Sequence, residues 1–395
     1  MQNKTLFIHA GGPKTGSSAI QVFLEVNAPA LRALGFSYHT HGPAAVDEYE
    51  VTAGNGLGLF GELTSNRPDA AVQSSIVREM ILNHFYEENQ QAICSSENFS
   101  LLNPERWSLL RKIAADEQID LIVCYYVRHL SAFFSSSYDQ ALRHGFYHER
   151  KEFFSMFEVW EHFRALEHLA QVFRKDALRV LSYDGCKKRL VESFLDVLGV
   201  AKRFDRDEIE RGNKRIVNRS LTNTERDVLR VINSATASQY SKRLSDALLD
   251  ANRNSRSEPL SYDAAEIRKL EEKFGKQVEW INDNFFSGQE IVKIFDSSAR
   301  VDDGGRQSCP EQLKAYKVAF EMVAGQAKDS RDAAINEIAN KLLAIDWENA
   351  GNPALPDDFD PIGYLLCNGD LLISELKPID HYIHFGCFEG RKWKM

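Results

Sequence analysis

No run of about 18 apolar residues occurs anywhere in the chain, so no helix that crosses a bilayer is expected. After the first four residues only Leu6 to Ala10 are apolar or nearly so. A secretory leader needs a longer apolar core and a cleavage site, so the expected place is the cytoplasm. Basic charge is also scarce. Lys and Arg number 48 against 57 Asp and Glu, a formal net charge of −9. That excludes the broad phosphate neutralisation on which general nucleic-acid binding depends, and any anion must be held by a local basic pocket. The six cysteines, Cys94, Cys124, Cys186, Cys309, Cys367 and Cys387, form no CxxC pair. They read as reduced thiols rather than a zinc site or a disulfide framework. The acidic pairs Asp302–Asp303 and Asp357–Asp358 have no ligand-like neighbours, and no metal site is expected.

With 395 residues, 43% of them hydrophobic, the chain can build one large core and a smaller one. Thr5 to His9 reads as a buried strand, Ala10 to Ser18 as a Gly- and Ser-rich loop, and the apolar spacing from Ile20 to Leu34, ending at Gly35, as a helix. Residues 39–68, rich in Gly, Asn, Pro and Thr, read as a long irregular insertion and a candidate acceptor-binding lid. Further strands are expected at Ala92–Ser95, Asp120–Val127 and Leu178–Ser182. Helices are expected at Val72–Glu88, Pro104–Asp116, from Arg128 to Arg143, at Phe153–Arg174 and at Lys187–Leu198. The run DLIVCYYV lacks the alternation of a half-exposed strand, as a parallel strand covered on both faces requires. The expected fold is α/β, a P-loop-like doubly wound parallel sheet with an added helical segment and a small C-terminal helical module. The domain reading is 1–220 for the α/β core, 221–310 for a helical extension and 311–395 for a C-terminal helical region.

The central motif is Gly11-Gly12-Pro13-Lys14-Thr15-Gly16-Ser17-Ser18, between strand and helix. Glycines let the backbone approach an anion, and the helix start offers free N–H groups and the positive end of its dipole. Lys14 adds a full charge, and Ser17 and Ser18 add hydroxyls. The bland alternative is a glycine turn capped by Ser17. The order K-T-G-S-S is not the Walker pattern, in which the lysine directly precedes Ser or Thr, and the best strand ends in Arg128 rather than an aspartate.

Pro13 to Ser18 resembles, at every position, the 5′-phosphosulfate loop PK[ST]G[ST][ST] of sulfotransferases that use 3′-phosphoadenosine 5′-phosphosulfate (PAPS). The resemblance implies the sulfotransferase fold. It also implies that Lys14 grips the donor phosphate and its bridging oxygen, while Pro13, Thr15, Gly16, Ser17 and Ser18 complete the cradle. The family's second signature is an arginine at a strand end with a serine eight residues on and a tyrosine soon after. Arg128, Ser136 and Tyr138 stand in those places, although His129, Leu130 and Phe133 depart from the commoner R-[ND]-P-x-x-R form. By that resemblance Arg128 and Ser136 hold the 3′-phosphate. Arg128 as a strand cap and Ser136 as one of several helix serines is the alternative. A late basic loop covers the nucleotide in this family, and Arg211, Lys214 and Arg215 are the candidates for it here. A solvated charged turn explains those three equally well.

Transfer needs a group that takes the acceptor's proton. The family's carbohydrate branch places a glutamate past the next strand, and Ser95-Ser96-Glu97-Asn98-Phe99 is similar, so Glu97 is the candidate base. His9, at the first strand's end, is its rival. The tail, from Phe359-Asp360-Pro361 to Glu389-Gly390-Arg391, resembles a module found in bacterial enzymes of surface-polysaccharide assembly. The resemblances imply a carbohydrate acceptor, PAPS as donor, no metal, and association with polysaccharide-assembly enzymes. Two further readings stay open: a nucleotide kinase or other NTP-dependent enzyme on a related core, and a non-catalytic scaffold of polysaccharide assembly.

Overall fold

Five short extended runs form a single parallel sheet. The structure, a computed structural model, describes residues 4–40, 54–205, 207, 209, 220–235, 241–251, 260–295, 300–301, 354–356, 359, 364, 368, 371 and 377–391. The sheet strands are β1 (Lys4–Gly11), β2 (Phe36–Ser37), β3 (Gln91–Ser95), β4 (Ile119–Val127) and β5 (Leu178–Ser182). Their order is β2-β3-β1-β4-β5, and every pairing is parallel. The α/β class expected from the sequence is therefore the observed one.

The connecting helices are α1 (Ser17–Val26), α2 (Ala28–Ala33), α3 (Leu57–Thr64), α4 (Ala70–Leu82), α5 (Pro104–Asp116), α6 (Leu130–Arg143), α7 (Arg150–Ser155), α8 (Glu161–Val172), α9 (Tyr183–Cys186) and α10 (Leu190–Val197). One sheet face, with Phe7, Cys124 and Tyr126, packs against Phe23 and Leu24 of α1 and Val191 and Phe194 of α10. Successive strand residues point to opposite faces, so Tyr125 looks the other way, where its hydroxyl meets His162 of α8. Helices thus cover both faces.

Three local expectations need correction. The first helix breaks at Asn27, because Pro29 lacks an N–H and its ring blocks a continuous helix; it starts α2 instead. The segment read as irregular contains α3, whose Leu59 and Leu63 are buried, so packing overrides the poor helix propensity of its glycines. Residues 41–53 of that segment lie outside the described residues. The expected helix Phe153–Arg174 is two, α7 and α8, and Trp160 gives its N–H to Gln277 Oε1 at 2.9 Å rather than to a helix carbonyl.

The chain divides into two compact units: 1–133 with 157–218 and 268–297, and 134–156 with 219–267 and 298–395. The first holds the sheet. In the second, the buried Asp139 carboxylate accepts from Arg226 Nε at 2.6 Å and from the Leu221 N–H at 3.0 Å. Near the C-terminus, Phe359, Tyr364 and Tyr382 form an aromatic cluster, and Tyr364 Oη lies 2.8 Å from His381 Nδ1. Among the described residues, Cys94, Cys124 and Cys186 are buried free thiols whose proton affinity burial raises, and Cys387 is exposed. No described helix is long and apolar enough to cross a membrane.

Burial lowers the pKa of His9 and His162 to about 3 and that of His84 to about 4, from an ordinary 6.5. All three are neutral in the folded chain at mild pH, while the unfolded chain takes up their protons below 6.5. Each histidine should therefore remove up to about 1.4 kcal/mol of stability per pH unit below that point, flattening towards its folded value. Urea unfolding should show stability falling from about pH 6.5 downward, a loss reduced when His84 is replaced by Gln. A stability that stays level over that interval would contradict the assignment.

Candidate anion-binding site

The site sits where the sheet changes direction. The chain leaves β1 towards β2 on one side and leaves β4 towards β5 on the other, so the loops after β1 and β4 diverge and open a crevice between them. The first of these loops is Gly11 to Gly16, and the second begins at Arg128.

Backbone geometry explains the glycines. Gly11, Gly12 and Gly16 have φ of 69°, 146° and 75°. A side chain on Gly12 would start 2.0 Å from the Tyr126 carbonyl oxygen, and one on Gly16 would start 2.7 Å from Leu190 Cδ2. Only glycine fits against the backbone at Gly12, while at Gly16 the Leu190 side-chain end can shift and the positive φ is what favours glycine. Lys14 has φ of 64°, a left-handed conformation that costs a non-glycine residue about 1–2 kcal/mol. Such strain is typically kept where function needs it.

The loop is held from below. Thr15 Oγ1 donates to the Gly12 carbonyl at 2.6 Å, and Arg128 Nη1 donates to the Lys14 carbonyl at 2.9 Å. The Arg128 guanidinium also lies 5.2 Å from the Tyr183 ring centroid. Helix α1 starts at Ser17 with Gly16 before it and no side-chain cap. Its first N–H groups are thus left for a ligand. Two buried polar atoms at the loop, Ser17 Oγ and Arg128 Nε, have no hydrogen-bond partner. Unmet buried donors cost about 1–3 kcal/mol each, a cost that an anion within reach of either would relieve. The residues present fit a phosphate or sulfate group.

Glu97 reaches the same place through strand pairing. His9 pairs with Ser95, the Ser96 N–H donates to the His9 carbonyl at 3.1 Å, and Glu97 follows as the exposed first residue of a short 3-10 helix. Its Cα lies 2.9 Å from where a Gly11 side chain would begin. Asn55 fixes the end of that strand by donating to the Ile93 carbonyl at 2.9 Å and accepting from the Ser95 N–H at 2.8 Å. The rival base His9 is fully buried, with Nδ1 2.8 Å from Ser95 Oγ and its ring against Phe194.

Lys14, Thr15, Gly16, Ser17, Arg128 and Glu97 are therefore brought together within one unit, with Pro13 and Ser18 in the same loop. Ser136 is half-buried on α6 and belongs to the second unit. Arg211, Lys214 and Arg215 lie outside the described residues. Sequence reading missed Asn55, Glu161 and His162. Glu161 is half-buried at the start of α8; burial raises its pKa, and the Arg164 and Lys14 charges oppose that rise. The E-H pair that opens α8 reads as an ordinary helix start, and only its place under the loop sets it apart. No group of three His, Cys, Asp or Glu suited to a metal ion occurs among the described residues.

No family model and no curated protein matches the chain. Among solved structures it is similar to a retinol dehydratase crystallised with androsterone and the inactive cofactor PAP, at 14% identity and a TM-score of 0.25. That similarity covers 54% of this chain and 64% of the other, less than two thirds of its length. A likeness this slight assigns no function to the site.

Proposed function

We propose that the chain transfers a sulfuryl group from PAPS to a hydroxyl of a carbohydrate. The observation that supports this most is the reach of Arg128 to the anion loop: its guanidinium donates to the Lys14 backbone carbonyl, in a loop whose order matches a phosphosulfate cradle. When bound, PAPS supplies an activated sulfuryl group on its 5′-phosphate. Gly12 to Ser18 hold that end, with N–H and hydroxyl donors around its oxygens. Arg128 is the proposed ligand of the 3′-phosphate; Ser136, in the second unit, and Arg211, Lys214 and Arg215, outside the described residues, stay candidates from the sequence alone.

Lys14 offsets the charge that gathers on the leaving phosphate as its bond to sulfur breaks. Glu97 accepts the proton of the acceptor hydroxyl as that oxygen bonds to sulfur. A carboxylate suits this role here because Glu97 is exposed beside the loop and open to a bulky acceptor. The C-terminal module's resemblance to polysaccharide-assembly enzymes favours a surface glycan as acceptor.

Calorimetric titration with PAP, the product nucleotide, tests both phosphate sites at once. PAP should bind without magnesium and raise the melting temperature. At a hundred times its Kd the stabilisation should be about 2.7 kcal/mol. Magnesium-dependent ATP binding with no PAP binding would replace this reading with a kinase-type one.

A further inference from the structure

We propose that Gly54-Asn55-Gly56 is a positioning bracket for Glu97: it grips the chain on both sides of that residue and so holds the carboxylate where the acceptor hydroxyl loses its proton. This rests on the reading of Glu97 as the base.

The bracket begins where the edge strand stops. β2 pairs with β3 only at Gln91 and Ala92. Beyond that point no described strand lies beside β3 on this edge, yet Ile93 and Ser95 are buried. Buried backbone groups must find partners. The bracket supplies three of them. Asn55 Nδ2 donates to the Ile93 carbonyl at 2.9 Å, and Asn55 Oδ1 accepts from the Ser95 N–H at 2.8 Å. The Gly56 N–H then donates to the Ser95 carbonyl at 2.9 Å. One side-chain amide thus serves an acceptor and a donor two residues apart, as a neighbouring strand would.

The two glycines let the bracket lie flat on the strand. A side chain on Gly54 would begin 2.1 Å from the Ser95 carbonyl oxygen. One on Gly56 would begin 2.7 Å from Phe99 Cε2 and 2.9 Å from Cys94 Sγ. Phe99 is fully buried and belongs to the same 3-10 helix as Glu97. The bracket therefore holds Ser95, just before Glu97, by hydrogen bonds, and Phe99, just after it, by packing. The other flank is held by β1, where the His9 carbonyl accepts from the Ser96 N–H at 3.1 Å and Gly11 leaves room for the Glu97 backbone. Glu97 itself is exposed, so the chain around it fixes its place. A shift of about 1 Å in a reacting group can cost about a hundredfold in rate.

The test uses the full chain with Asn55→Ala, Gly56→Ala, Glu97→Gln and the double variant Asn55→Ala with Glu97→Gln. PAP release from PAPS is followed with cellotetraose or water as the acceptor. Asn55→Ala removes both amide contacts, and Gly56→Ala disturbs Phe99 and the strand end by crowding. Each should keep PAP affinity within about twofold of wild type and lower kcat about ten- to a hundredfold. In the Glu97→Gln background, Asn55→Ala should cost less than about a further twofold, because the group it positions is already disabled. Hydrogen exchange of the peptide from Ser95 to Phe99 needs no acceptor and should quicken about tenfold in Asn55→Ala. Wild-type turnover in Asn55→Ala or Gly56→Ala would overturn the inference and leave the base reading to Glu97→Gln. A full loss repeated in the Glu97→Gln background would overturn it too, since the bracket would then act on the fold in general. If Glu97→Gln turns over as wild type does, the base reading fails and the inference with it. If wild type transfers to neither acceptor, unchanged exchange in Asn55→Ala overturns the bracket, and faster exchange confined to that peptide supports it.

Discussion

Replacing Lys14 with glycine should abolish turnover without destabilising the fold. Lys14 carries φ of 64°, a conformation glycine adopts freely and other residues adopt at a cost. Removing the side chain relieves about 1 kcal/mol of local strain, offset in part by the greater freedom of glycine in the unfolded chain. The folded chain loses its only cation inside the turn Gly11 to Ser18. A hydrogen bond to a charged group contributes about 1.5–3 kcal/mol, so PAP affinity should fall about ten- to a hundredfold. Turnover depends on the charge that develops at the leaving phosphate, and should fall about a hundred- to a thousandfold beyond the binding loss. Urea unfolding and calorimetry on the same sample separate the two effects. If Lys14→Gly binds PAP as wild type does, Lys14 does not face the donor. If it unfolds much more readily than wild type, the lysine is structural and the strained turn has another cause.

Glu97→Gln should show the opposite division, sparing donor binding and cutting turnover about a hundred- to ten-thousandfold. The substitution keeps the size of the side chain and removes its ability to take a proton. Glu97 is exposed, so its effect on stability should stay within about 0.5 kcal/mol. PAP affinity should change less than about twofold, or improve, since one negative charge leaves the neighbourhood of the loop. Steady-state assays with excess donor and a sugar acceptor would read the loss in kcat. Near-normal turnover would remove Glu97 from the mechanism. Glu161, a carboxylate in the field of Lys14, would then be the group to replace next.

The two acidic residues show how far sequence reasoning reaches. Glu97 could be singled out because it follows a strand within a short motif. Glu161 and His162 open a helix whose buried positions, Ala165, Leu166 and Leu169, suggest only packing. Only the folded chain sets His162 beside Gly12 and Tyr125 and places Glu161 in the field of Lys14, all far away along the chain. Asn55 was hidden for the same reason, inside a glycine-rich stretch that looked irregular. Ser136 was named from its spacing after Arg128, and that spacing fixes its place on α6 alone.

What the chain order determined by itself is local. Three glycines and a lysine between an apolar strand and an amphipathic helix dictate a tight turn with donors facing one way, because backbone sterics act between neighbours. The alternation and length of the apolar runs likewise dictate strands and helices. Only the folded structure decided that β1 lies between β3 and β4, since parallel strands offer the same hydrogen bonds to any neighbour and their order is set by how helices pack on the two faces. That order brings Arg128 to Lys14 across 114 residues and sets Glu97 beside Gly11. The turn was therefore legible in advance, and Arg128 and Glu97 as candidates beside it, but not the contacts that seat them there.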